Sequence, residues 1–235
     1  MSCVRLKFAS LERQSVFGSA MSGTTVSAKV KNDSPIKEVE IHYKSYGIWS
    51  TRKLLWYKSF GNYDLFVSRR YIGPISEFAI KYTRIIDGKE CYDWDNNGML
   101  NYHPYENYGC VGGNVVLNYA RGIDSLYDIA WENEDGNLGM KGEIYVNNLS
   151  CKKSVGIVYS TDGSDWETLY ACCMGNVKDR SFDGCNNIEA WEFAVNKRFS
   201  SIEFAVFYND LSTGDWFWDN NFGQNYILSG NAVIE

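Results

Sequence analysis

Short stretches in which apolar and polar residues alternate run along most of the chain. Residues 4–9 and 115–120 show this pattern, which is typical of strands with one buried face. Turn-forming pairs such as Asp162-Gly163 separate the stretches. Helical spacing is scarce, and only Leu11 to Ser15 and Ile123 to Tyr127 are candidates for a helical turn. The pattern therefore predicts an all-β fold of antiparallel strands joined by hairpins.

The strongest internal signal is a stretch that occurs twice. The first copy has a strand at 77–82, then Trp94-Asp95-Asn96-Asn97 and Asn101-Tyr102; the second has a strand at 203–208, then Trp218-Asp219-Asn220-Asn221 and Asn225-Tyr226. In both copies the Asn-Tyr pair falls seven and eight residues after the Trp. Earlier strands match as well, at 25–32 and 140–147 and at 39–43 and 155–159, and each of the latter pair precedes a turn that ends at Trp49 or Trp166. The chain therefore contains an internal repeat.

Chain length agrees with two domains. The chain has 235 residues, and one β-sandwich has about 100. A Gly- and Asn-rich stretch at 105–113 separates the end of the first copy from the first strand of the second. We expect the boundary there, which gives modules at 1–107 and 108–235.

The repeated Trp-Asp-Asn-Asn motif allows two interpretations. Asn and Asp favour turns because their side chains bond to the nearby backbone, so the motif could be a turn locked by its own side chains and capped by the Trp. Alternatively, the motif is a sugar platform. A flat indole covers the apolar face of a pyranose, and an amide offers both donors and an acceptor to the hydroxyl groups. Trp49 and Trp166 are then candidates for a second ring in each copy.

The Glu-Phe-Ala-Ile/Val-x-Tyr strand at 77–82 and 203–208, with the two motifs that follow it, resembles the starch-binding modules of carbohydrate-binding family 21. These modules occur in fungal glucoamylase and in glycogen-targeting subunits of protein phosphatase 1. The resemblance covers nearly all of both halves. It implies two tandem immunoglobulin-like antiparallel β-sandwiches that bind α-glucan without catalysis, with a catalytic domain or a phosphatase as a possible partner in a larger assembly.

The resemblance also implies which residues contact the sugar. The residues carried over are Trp49, Trp94, Asn96 and Asn101 in the first site and Trp166, Trp218, Asn220 and Asn225 in the second. Two departures predict that the sites differ. The glycine after the Asn pair is Gly98 in one copy and Gly223 in the other, one residue out of step, and the turn before Trp49 is one residue shorter than the turn before Trp166.

Charge and composition exclude several other classes. A net charge of −6 argues against nucleic acid, whose binding depends on Lys and Arg at the phosphates. The chain contains no run of 18 apolar residues, so the sequence predicts no membrane span. The first residues lack the apolar core of a signal peptide, yet the compartment stays open between the cytoplasm and, for a piece of a secreted protein, the outside.

Catalytic and metal-binding signals are weak. Asp93 and Asp95 share a strand face as a glycosidase pair would, but Phe217 replaces the first of them in the second copy. The same residues begin a calcium-loop pattern, but Pro104 stands where a bidentate Glu is required. We therefore expect no enzyme activity, metal or cofactor.

Seven cysteines, an odd number without a Cys-x-x-Cys pair, do not form a closed disulfide or zinc set. We expect reduced, mostly buried thiols, with a Cys173–Cys185 disulfide across a hairpin as the alternative.

Aromatic residues make up 16% of the chain, which suits sugar binding and also suits protein recognition. An immunoglobulin-like protein-interaction scaffold is therefore the alternative function. Exposed tryptophans flanked by amides favour the sugar, whereas a broad apolar patch favours a protein.

Overall fold

The computed structural model describes residues 2–16, 19–68, 72–73, 75–104, 109–123, 139–177, 187–229 and 233–234. Strands dominate these residues, and the pairings between them are antiparallel. The predicted all-β class is thus confirmed. The chain forms two compact units: the first unit comprises Met1–Gly112 with Asn176–Ile188, and the second unit Gly113–Gly175 with Glu189–Glu235. The module bounds 1–107 and 108–235 stay a prediction.

The first unit contains two antiparallel sheets. Its described strands are β1 (Val4–Val16), β2 (Ser19–Lys31), β3 (Lys37–Ser45), β4 (Ile48–Lys53), β5 (Leu55–Phe60), β6 (Tyr63–Val67), β7 (Glu77–Ile86), β8 (Lys89–Asp95) and β9 (Gly109–Val111). One sheet has the order β5-β6-β2-β1-β9 and is called the β1 sheet; the other has the order β4-β3-β7-β8 and is called the β3 sheet.

The second unit has a corresponding order of strands. Its described strands are β10 (Val115–Gly122), β11 (Met140–Asn147), β12 (Lys153–Thr161), β13 (Glu167–Tyr170), β14 (Cys172–Asn176), β15 (Ile188–Val195), β16 (Ser201–Asp210), β17 (Asp215–Asp219), β18 (Tyr226–Ser229) and β19 (Val233–Ile234). The β10 sheet has the order β14-β15-β11-β10-β19, and the β12 sheet has the order β13-β12-β16-β17, with β18 also paired to β16.

Each sheet of the first unit buries one face against the other sheet. Alternate residues of β1 and β2, such as Leu6 and Ala28, join Ile41, Phe78 and Ile80 of the β3 sheet in one fully buried cluster. Burying side chains of this size contributes about 1.5–3 kcal/mol each. In the second unit, Phe193 of β15 and Phe204 of β16 meet with ring centroids 6.2 Å apart. The immunoglobulin-like character of these sandwiches stays a prediction.

One local expectation is wrong. Residues 11–15 form no helical turn, because they continue β1 and pair residue by residue with β2. Of the other candidate turn, only Ile123 lies within the described residues. Within the boundary stretch 105–113, Gly109–Val111 forms β9 on the edge of the β1 sheet. The next residue, Gly112, has no room for a side chain, because a Cβ there would stand 2.2 Å from the Leu6 carbonyl oxygen.

The expectation of mostly buried thiols is also wrong. Among the six cysteines that the structure describes, all free, only Cys110 is buried, while Cys3 and Cys91 are half-buried. Cys172 and Cys173 are both exposed, because β14 is an edge strand. Cys185 lies outside the described residues, so the alternative disulfide does too.

Candidate functional site

The two Trp-Asp-Asn-Asn motifs occupy corresponding places, at the ends of β8 and β17. Trp94 pairs with Lys81 of β7, and Trp218 pairs with Phe207 of β16. A sugar platform requires accessible rings, and Trp94 is 40% and Trp218 41% exposed.

The aspartate after each Trp ties its loop to the opposite sheet. In the second unit, the buried Asp219 accepts the backbone N–H of Leu117 and the hydroxyl of Tyr226, both at 2.8 Å from Oδ2. A β-bulge follows Leu117 in the β10–β11 ladder. The carboxylate therefore pairs a backbone donor at the bulge, where the regular ladder is disrupted.

The first unit repeats this arrangement. Asp95 accepts the N–H of Leu6 at 2.5 Å and the hydroxyl of Tyr102 at 2.8 Å, and a bulge again follows Leu6. Burial raises the pKa of the Asp95 carboxyl, while these hydrogen bonds act in the opposite direction. Asp93 forms an ion pair with Arg84. Both members of the Asp93–Asp95 pair thus have partners within the first unit.

The asparagines shape the loop after each Trp through matching hydrogen bonds. Oδ1 of Asn220 accepts the N–H of Gly223 at 3.1 Å, as Oδ1 of Asn96 accepts the N–H of Met99 at 3.0 Å. The amides of Asn225 and Asn101 donate to a glutamate at the start of β16 or β7, at 2.7 and 2.8 Å. The predicted self-locking of the turn is present in both units.

The glycine offset between the motifs leaves the loop conformation unchanged. Both loops contain three consecutive residues with left-handed φ and a fourth two positions later: Asn97, Gly98, Met99 and Asn101 in one, Asn221, Phe222, Gly223 and Asn225 in the other. Asn tolerates this conformation better than most L-residues. Of the two left-handed positions that Asn does not occupy, the first loop has glycine at the earlier one, Gly98, and the second loop has glycine at the later one, Gly223.

Replacing Gly98 (φ 66°) with alanine should lower the free energy of unfolding by about 1 kcal/mol. The cost is purely conformational, because the added Cβ would meet no atom within 4 Å. Urea denaturation of the purified chain measures it. Gly73→Ala is the matched control, since its φ lies outside the left-handed range and its nearest atom is 3.7 Å away; equal losses in both variants would contradict the explanation.

In the second unit, the predicted site residues meet in one groove of about 440 Å³. Its lining is Val158, Trp166, Ala205, Trp218, Asn220 and Asn225. Val158 and Ala205 pair across β12 and β16 and form the floor. Trp166, 52% exposed, directly precedes β13 on one side of the two floor strands, and Trp218 lies on β17 on the other side. An indole thus stands on each side of a small apolar floor.

The two amides of this groove retain hydrogen-bonding capacity. Within the described residues, Nδ2 of Asn220 and Oδ1 of Asn225 have no protein partner. One is a donor and the other an acceptor. The groove therefore offers both kinds of partner to a hydroxyl-rich ligand beside apolar ring faces.

The first unit has the same residues on a different floor. Ala79 pairs with His42, which takes the place that Val158 has in the second unit. The His42 imidazole lies edge-on to Trp94, with ring centroids 4.8 Å apart. Burial lowers the pKa of His42. The imidazole therefore occupies space beside Trp94 that the shorter Val158 leaves open beside Trp218.

The different turn lengths do not misplace the second ring. Trp49 pairs with Lys44, and Tyr159 pairs with Glu167, so the same register places Trp166 opposite Ser160. The extra residue is taken up in the turn. The glycine offset and the turn length therefore do not make the two sites differ, and the structural difference between the grooves lies at His42 and Val158; a difference in binding stays a prediction.

Sequence reasoning missed the floor of the groove and one more aromatic residue. Val158 and His42 became visible only once the strand register was known. Trp216 lies two residues before Trp218 on β17, so both side chains are on one face. The spacing of two residues between Trp216 and Trp218 was a signal for it.

The part of the chain that the structure describes contains neither a cluster of metal-ligating side chains nor a membrane-spanning helix. No group of three or more His, Cys, Asp or Glu side chains there could hold a metal ion. No helix there is long and apolar enough to cross a membrane.

Part of the chain is similar to a known family of binding modules. Residues 125–229 match the carbohydrate/starch-binding module of family 21. This part of the chain is thus similar to family 21 modules, as the sequence resemblance predicted, whereas the tandem arrangement stays a prediction. The matched range contains all four predicted contact residues of the second site.

Relatives of the family 21 module share part of the chain. The glycogen-binding subunit 76A of Drosophila melanogaster is 38% identical over 94 residues, which make up 39% of this chain and 13% of that protein. The solution structure of the carbohydrate-binding module of the muscle glycogen-targeting subunit of protein phosphatase 1 is 26% identical, with 50% of this chain and 76% of that chain covered and a TM-score of 0.32.

Proposed function

We propose that the chain binds α-glucan without catalysis and that the groove of the second unit is its principal site. The observation that carries the proposal is the convergence of Trp166, Trp218, Asn220 and Asn225 on one open groove. The match of this region to a carbohydrate/starch-binding module supports it.

The groove suits the chemistry of a glucose chain. An indole that covers about 60 Å² of a pyranose face contributes roughly 1.5 kcal/mol at ~25 cal/mol/Å². One ring is therefore insufficient. Two rings with an amide donor and an amide acceptor reach roughly millimolar to micromolar affinity. Trp166 and Trp218 supply the rings, while Asn220 and Asn225 supply the amides.

The first unit contributes a second, weaker site to the same polymer. Trp49 and Trp94 are exposed, but His42 narrows the floor between them. Two sites on one chain raise apparent affinity by roughly 10²- to 10⁴-fold where both reach one polymer. Retention on glycogen or amylopectin should therefore be much stronger than binding of short maltooligosaccharides.

The chain further acts by bringing a partner to glucan. The Drosophila relative is a glycogen-binding subunit, and this name supports a place in an assembly. A catalytic domain or a phosphatase is the partner that the family resemblance favours. This chain would then supply attachment to the polymer while the partner supplies the chemistry.

Affinity electrophoresis tests the binding proposal. The purified chain should migrate more slowly in gels that contain glycogen or amylopectin than in plain gels. Gels with cellulose derivatives serve as the control, since β-linked glucose presents another chain shape. Unretarded migration in both α-glucans would refute the proposal.

A further inference from the structure

A row of aromatic side chains crosses the outer face of the β12 sheet. Strand register aligns Tyr170 of β13 with Gly156, Gly156 with Phe207, and Phe207 with Trp218. Trp216 stands beside Trp218 on the same face, two residues earlier on β17. These four side chains, Tyr170, Phe207, Trp216 and Trp218, are called the aromatic row.

Gly156 allows the row to be continuous. Its strand lies between those of Tyr170 and Phe207, yet these two rings meet edge to face with centroids 5.9 Å apart. A Cβ at position 156 would stand 2.9 Å from the Phe207 ring. The missing side chain therefore lets Phe207 extend over the sheet.

The outer members of the row remain open to solvent. Phe207 is buried beneath its neighbours, whereas Trp216 is 52% and Tyr170 65% exposed. The planes of Trp216 and Trp218 differ by only 14°, with centroids 5.9 Å apart. Two nearly parallel indoles thus stand side by side, and one of them also lines the groove.

The first unit carries charged residues along the same line. Register aligns Lys53 with Glu40, Glu40 with Lys81, and Lys81 with Trp94. Lys81 lies over the ring of Tyr92, 5.6 Å from its centroid, and Tyr92 corresponds to Trp216. An unbroken aromatic row is therefore a feature of the second unit and not a requirement of the fold.

We infer that the aromatic row extends the glucan-binding groove of the second unit, with Trp216 and Tyr170 as additional contacts for a longer chain. The inference rests on the proposed function. Trp218 belongs to both groove and row, so a chain seated in the groove continues onto the row without a gap. From β13 to β17 the row spans about 14 Å, three strand spacings, which exceeds a single sugar ring.

Calorimetry with the full chain and maltooligosaccharides of increasing length tests this inference. Wild-type affinity should rise from maltotriose to long maltodextrins. Trp216→Ala should leave the Kd for maltotriose within about twofold but weaken the Kd for long chains about tenfold, the effect of one covered ring. Trp216→Leu should behave in the same way while still covering Phe207, so lost folding cannot account for the result. Tyr170→Ala should act in the same direction.

Tyr92→Ala is the matched control in the first unit and should leave long-chain affinity within about twofold. If Trp216→Ala weakened the affinity equally at every chain length, Trp216 would only position Trp218, and the inference would be overturned. An unchanged affinity at every length would overturn it as well. So would a loss in Tyr92→Ala as large as that in Trp216→Ala. If Trp218→Ala bound every length as tightly as wild type, the proposed function itself would fail.

Discussion

Trp218→Ala should abolish most of the retention of the chain in glycogen or amylopectin gels. This ring forms one wall of the groove and one end of the aromatic row, so its removal takes away contacts from both. Loss of one ring alone weakens binding about tenfold. Loss of the avidity that depends on the second unit weakens polymer binding by roughly 10²-fold or more. Retardation in affinity electrophoresis measures both effects together.

Trp94→Ala is the matched variant in the first unit, since the two rings are equally exposed and end corresponding strands. It should reduce retardation less than Trp218→Ala does, because His42 already occupies the space beside Trp94. His42→Val should then increase the contribution of the first unit. A larger loss in Trp94→Ala than in Trp218→Ala would contradict the assignment of the principal site.

Asp219→Ala should lower the free energy of unfolding of the second unit by about 2–5 kcal/mol. The carboxylate is 1% exposed and accepts from Leu117 and Tyr226. Its removal takes away the acceptor of these two buried hydrogen bonds, at about 1–3 kcal/mol each. Urea denaturation followed by tryptophan fluorescence measures the loss.

Tyr226→Phe separates the two hydrogen bonds and should cost only about 1 kcal/mol. Asp95→Ala is the corresponding change in the first unit and should also destabilise, but less, because Asp95 is less buried. An unchanged unfolding midpoint for Asp219→Ala would show that other groups hold the loop.

The fold was largely predictable from local pattern. The alternation of apolar and polar residues predicted the strands around 4–9, 39–43 and 115–120, because every second side chain of a strand points to the same face. The pattern failed at 11–15, where pairing with β2 outweighs local spacing. It also failed at 109–111, where three residues became a strand only through contact with β1.

The residues of the site were predictable from the sequence, but the structural cause of the difference between the two copies was not. The spacing of the repeat identified Trp166, Trp218, Asn220 and Asn225, and the structure places them around one groove. Their use as sugar contacts stays a prediction. The influence of His42 was not visible, because it depends on which residue of β3 faces Ala79. The aromatic row likewise depends on alignment across four strands.

The hydrogen bonds of the Trp-Asp-Asn-Asn loop are the same in both units, whereas the floor beside the loop differs. The loop residues are thus constrained by folding, and a unit can retain all of them after its ligand affinity has decayed. Surveys that score this loop alone would count idle copies as active ones. Under the proposed function, the residue at position 42 or 158, outside the loop, should be the better marker of which copy binds the polymer more tightly.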